Sequence, residues 1–64
     1  MIRVRMGDRF FEVDRKRIRL EALLRDLCIN PEDVVVVKGE RPITEDAWLE
    51  DGDEITVYEV VSRG

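Results

Sequence analysis

The chain predicts an α+β domain in two layers, a mixed sheet of four to five strands with one main helix packed on one face. Three observations carry this. Ile2-Arg3-Val4-Arg5-Met6 alternates apolar and charged residues, the period of a strand with one buried face. Leu20, Leu23, Leu24, Leu27 and Cys28 fall at i, i+3, i+4, i+7 and i+8, a single helical stripe. Val34 to Val37 is an unbroken β-branched run, too short for a helix. One helix of about ten residues covers only one face of such a sheet, which makes two layers.

Taken in order, residues 2–13 read as a hairpin. Gly7-Asp8 supplies the turn, and the extended composition resumes from Phe10 to Val13. Alternation places Phe11 and Val13 inside and Phe10 outside. Asp14 to Arg19, with four basic residues and one apolar one, reads as a solvated loop. The helical stripe comes next, and Pro31 ends it, because a residue before proline is pushed out of the helical region. After the valine run, Gly39 and Pro42 form a turn. Residues 43–50 show no clean period and read as an irregular link with one turn or bridge. Asp51-Gly52-Asp53 is a tight turn. Ile55 to Tyr58 is the last strand; with no hairpin partner nearby, it is expected beside the first strand and parallel to it. Residues from about 60 to 64 form a tail.

Size and composition narrow the chemistry. At 64 residues there is one domain, 1–64, with a small core, and little room for a buried catalytic apparatus. One cysteine and no histidine exclude the usual disulfide and zinc frameworks. No apolar stretch approaches a membrane span, and no signal-peptide h-region is present, so a soluble, cytoplasmic domain without a membrane partner is expected. Gln is absent and Asn30 is the only Asn, while Arg, Glu and Asp abound, a bias that thermophile proteins share. Residues 1–28 carry eight basic and five acidic side chains; residues 29–64 carry three basic and ten acidic.

Several constellations argue for bland roles. Cys28 lies on the apolar stripe and reads as a buried structural thiol. Glu45, Asp46, Glu50, Asp51, Asp53 and Glu54 do not match a calcium-loop spacing and read as a solvated acidic face, with no metal expected. The Arg15-Lys16-Arg17-Ile18-Arg19 run is short, lacks interleaved aromatics and sits on a net acidic chain, which argues against nucleic acid. Trp48 reads as a lid over one end of the core. Phe10, Tyr58 and Val60 are read as an exposed docking patch on the open face of the sheet.

The element order and four motifs resemble the β-grasp (ubiquitin-like) fold, and in particular the ThiS/MoaD sulfur carriers and the related archaeal small modifier proteins. Leu20-Glu21-Ala22-Leu23-Leu24 is similar to that family's helix start, and Asn30-Pro31-Glu32-Asp33-Val34 to its link into the third strand. Leu49-Glu50-Asp51-Gly52-Asp53-Glu54-Ile55 matches its Leu, two variable or acidic residues, Gly-Asp and β-branched pattern. Val61-Ser62-Arg63-Gly64 stands where the family has a short tail. The resemblance covers the whole chain. It departs at Arg63, where the family has glycine, and at Lys38-Gly39, where it has Asn-Gly.

The resemblance implies a carrier rather than an enzyme, with no bound cofactor and no catalytic residue of its own. A ubiquitin-activating-type adenylyltransferase uses ATP to adenylate the carboxylate of Gly64. Sulfide then displaces AMP and leaves a thiocarboxylate, which an acceptor enzyme uses to make thiamine, molybdopterin or thiolated tRNA. Val61, Ser62 and Arg63 enter the partner's active site. Given Arg63, either Gly64 alone suffices, or a final glycine is missing, or this member no longer carries sulfur. Two other readings stay open: a ubiquitin-like modifier joined to lysines through Gly64, and an interaction module without chemistry at its end.

Overall fold

The computed structural model describes residues 1–60. Strand β1 (Ile2–Met6) turns into β2 (Arg9–Val13), and a short strand β3 (Arg17–Arg19) leads directly into helix α1 (Leu20–Asp26). A single 3₁₀ turn at Pro31–Asp33 precedes β4 (Val34–Lys38) and β5 (Arg41–Ile43). Strands β6 (Trp48–Glu50) and β7 (Glu54–Glu59) complete the order. The main sheet has five strands in the order β2-β1-β7-β4-β5. Strand β7 is parallel to β1, pairing Val4 with Ile55 and Met6 with Val57, and antiparallel to β4, pairing Val36 with Val57. The α+β, β-grasp arrangement expected from the sequence is the observed one. No helix among the described residues is long and apolar enough to cross a membrane.

Both hairpins of this sheet turn on the same device. The β1–β2 and β4–β5 loops are two residues long, Gly7-Asp8 and Gly39-Glu40, with φ of 62° and 64° at the glycine. A positive φ at the first central position matches the right-handed twist of the strands, and only glycine adopts it without strain. Pro42, expected in the turn, instead lies in β5 opposite Val37. An edge strand tolerates proline because one side of its backbone has no ladder to complete.

The core gathers Ile2, Val4, Ile18, Leu20, Leu23, Leu24, Val36, Leu49, Ile55 and Val57, each 5% exposed or less. Met6, Phe11 and Val13 pack against it at partial exposure. Two segments depart from the expectation. Residues 17–19 are a strand rather than a loop, and they pair antiparallel with Trp48–Glu50 to form a separate two-stranded ribbon. Ile18 and Leu49 stand opposite each other in that ribbon and are both buried, so two isolated apolar residues close one end of the core.

Helix α1 starts without a capping side chain at Arg19. Instead, the backbone N–H groups of Leu20 and Glu21 donate to the carbonyls of Ala47 and Glu45, both at 2.9 Å. The segment before β6 thus satisfies donors that a Ser or Asp would otherwise take. At the other end, Cys28 N–H donates to Arg25 and Ile29 N–H to Leu24, at 3.0 and 2.8 Å. That pair of bonds is a Schellman motif with Cys28 at the position usually held by glycine, and its φ is 60°. Cys28 is exposed, not buried as its stripe position implied. The helix has ended before it, so helical spacing no longer says where its side chain goes.

Candidate functional site

Strand alternation divides the five-stranded sheet into an inner face, which the core covers, and an open face. The register places Phe10, Arg5, Thr56, Val37 and Pro42 in one row across the open face. A second row pairs Glu12, Arg3 and Glu54, and a third pairs Tyr58 with Val35. Phe10 is 68% exposed, Tyr58 56%, Val60 51% and Val35 45%. The Arg5 guanidinium lies 5.6 Å from the centre of the Phe10 ring, on the neighbouring strand. Phe10 and Tyr58 share this face but not a row: across β1, Phe10 stands level with Thr56, two residues before Tyr58 on β7. Their apolar surfaces are two islands separated by Arg5 and Thr56, with Val35 enlarging the second. Val35 is an addition to the expected patch, although alternation within Val34–Val37 puts every second valine outward.

Val60 directly succeeds β7, and its N–H donates to the carbonyl of Asp33 at 2.8 Å. The chain therefore leaves the sheet beside the 3₁₀ turn. That turn is fixed by Pro31 at its start and by the Asn30 side chain, which accepts from Glu32 N–H at 3.1 Å. The other expected site residues, Val61, Ser62, Arg63 and Gly64, lie outside the described residues.

Asp53 organises the turn that feeds β7. Its carboxylate accepts from Glu50 N–H at 2.7 Å and meets the Lys38 ammonium at 3.1 Å, while its carbonyl accepts from Arg3 N–H at 2.9 Å. Strands β1, β4, β6 and β7 are tied together at this point. The Glu50 N–H and, after it, Lys38 hold the Asp53 carboxyl below the usual carboxylate range. The Asp46 carboxyl is also lowered, first by the Thr44 hydroxyl, which donates to it; both residues are exposed. The Met1 ammonium pairs with Asp51 beside the same turn.

Trp48 is 45% exposed and does not cover the core; Leu49 beside it does. Its ring lies under two guanidiniums, Arg17 at 4.3 Å and Arg19 at 5.0 Å from its centre. The basic run has an aromatic partner after all, supplied across the ribbon rather than along the chain.

Among the described residues, no polar or charged residue is buried, and no group of three or more His, Cys, Asp or Glu is placed to hold a metal ion. The described residues present a sheet face with two apolar islands, an acidic turn, an arginine-flanked tryptophan and an open groove at the end of α1 lined by Glu21, Arg25, Cys28, Ile29, Asn30 and Pro31. No protein-family model matches the chain, and no curated protein matches it. The class that fold and surface define is a small β-grasp domain.

Proposed function

We propose that this protein is a sulfur carrier resembling the ThiS/MoaD family, acting through Gly64. The observation that carries the reading is the topology. The final strand is held in the middle of a mixed sheet, parallel to the first strand, and one helix lies on the inner face. That arrangement, with the resemblance of four motifs along the whole chain, supports a rigid body that presents the residues beyond Val60 to a partner.

In this reading the protein is a substrate and not a catalyst. A partner adenylyltransferase joins the Gly64 carboxylate to the AMP portion of ATP with release of pyrophosphate. Sulfide then adds to the activated carbonyl and AMP leaves, giving a thiocarboxylate for an acceptor enzyme. Glycine suits the reacting position because it has no side chain to clash in a narrow channel. The body docks through the open face, with Phe10 and Tyr58 as aromatic anchors and Val60 beside the tail. Conjugation to lysines through Gly64 is the second reading; it uses the same activation and differs only in the acceptor.

The experiment is the mass and fragmentation of the C-terminal peptide of protein isolated from its own organism. Cleavage after Tyr58 keeps the reporting residues together, whereas trypsin would cut after Arg63. A sulfur-for-oxygen increment on Gly64 is expected. A Gly64–lysine isopeptide would establish the modifier instead. An unchanged carboxylate that persists after incubation with the host's activating enzyme, ATP and a sulfur donor would leave only an interaction module.

A further inference from the structure

The outer face of the β3–β6 ribbon is a second surface, on a sheet separate from the one that carries the open face. Ile18 and Leu49 point into the core, so their neighbours Arg17, Arg19, Trp48 and Glu50 point away from it. Arg19 stands directly opposite Trp48, and Arg17 lies on the diagonal. Both guanidiniums lie over the indole ring. Each guanidinium carries five N–H donors, and a cation–π contact engages its charge rather than all of those donors. The contact with the ring therefore restricts two long side chains and leaves donors for a ligand. Arg17 has no carboxylate within ion-pair distance among the described residues, although Glu50 is its cross-strand neighbour; Arg19 reaches Glu21 only at 3.9 Å.

We propose that this ribbon face docks a carboxylate-bearing segment of a partner protein, with Arg17 and Arg19 as the anion receptors and Trp48 as the apolar floor. Charge complementarity selects this occupant over a nucleic acid. Acidic residues border the arginines: Glu50 beside Arg17, Glu21 beside Arg19, and Asp26 at 3.7 Å from Arg15. A polyanion needs a continuous basic track, and on a chain of net charge −4 these acids interrupt it. A segment with one or two discrete carboxylates meets the guanidinium edges and avoids them. The stacked, preorganised arginines keep more of the binding energy, because fewer rotamers are lost on docking.

Trp48 is the sole tryptophan and reports directly on this face. The test is fluorescence titration of the full chain with a capped peptide of about seven residues carrying two Glu and one Leu. Its Gln counterpart and a uridine oligonucleotide are titrated in parallel. The acidic peptide is expected to change Trp48 emission saturably, less so as salt rises, while the Gln peptide does not. Arg17→Ala should weaken binding about ten-fold, the scale of one charge-assisted contact. Arg17→Lys keeps the charge without the planar fork and should recover only part of that loss. Far-ultraviolet circular dichroism verifies that each variant is folded. Equal response to the Gln peptide, tighter binding of the oligonucleotide, or no response at millimolar peptide would each overturn the proposal.

Discussion

The two faces of strand β7 share one backbone, yet their side chains do opposite work. Ile55 and Val57 are at most 1% exposed and meet Val4 and Val36 in the core, whereas Thr56 and Tyr58 look outward, Tyr58 at 56% exposure. Burying such an aliphatic side chain contributes about 1.5–3 kcal/mol. A cross-strand pair on the open face contributes about 0.2–1 kcal/mol. The difference teaches that a domain this small concentrates its stability on one face and leaves the other free for recognition. Residues two apart in sequence then answer to different constraints.

The strongest way to break that comparison is Ile55→Ala. Removing a fully buried aliphatic group should cost about 2–5 kcal/mol, including the cavity left behind. Native domains have only about 5–15 kcal/mol in total, so urea unfolding monitored by circular dichroism should show a large drop in midpoint. A loss below about 1 kcal/mol would mean that β7 does not hold the core.

Asp53 tests whether the acidic turn belongs to the stabilising side. Asp53→Asn loses the charge that Glu50 N–H and Lys38 favour, at an expected cost of about 1 kcal/mol. Lys38 is 43% exposed, so the ion pair itself supplies the smaller share. The folded-state pKa is depressed, so this contribution is fully present above the unfolded value, about 4, and is lost as pH falls through the folded one. Unfolding midpoints between pH 7 and pH 2 should therefore fall less steeply below pH 5 in the variant than in the unaltered chain.

Legibility tracked length and period. The pairing of β1 with β7 is readable because the last strand has no hairpin partner nearby, and the outward aim of Phe10 and Tyr58 because each lies in a strand whose alternation can be followed. The ribbon is not. Arg17–Arg19 and Trp48–Glu50 each hold one core residue between two outward ones, too little for a period to register, and the surrounding charge reads as a loop. Size alone points to Trp48 as the core residue of its segment, but the alternation of the strand gives that place to Leu49. Cys28 fails differently: its spacing fits the stripe, but the Schellman turn has already ended the helix. The left-handed φ at Cys28 makes a separate prediction. Cys28→Gly should stabilise the protein by about 0.5–1 kcal/mol, since an exposed side chain is lost and backbone strain is relieved. Destabilisation would show that the thiol makes a contact worth more than the strain.

The smallest effects on stability belong to the open face, and their size is what gives the comparison its edge. Phe10→Ala loses a surface cation–π contact with Arg5, about 0.5–1 kcal/mol, and Tyr58→Ala loses a cross-strand pair with Val35 of similar worth. The two residues lie two strands apart, at least about 10 Å, so their effects on unfolding should add within about 0.5 kcal/mol. On the proposed sulfur-carrier reading, activation by an adenylyltransferase should behave otherwise. If both side chains anchor one docked surface, each substitution slows the formation of activated protein, and the double variant departs from additivity because either loss loosens the same interface. If the two islands serve no common partner, activation rates stay those of the unaltered chain, and the open face is spare surface. A kinetic defect with unfolding midpoints almost unmoved would place recognition on the face that stability does not need.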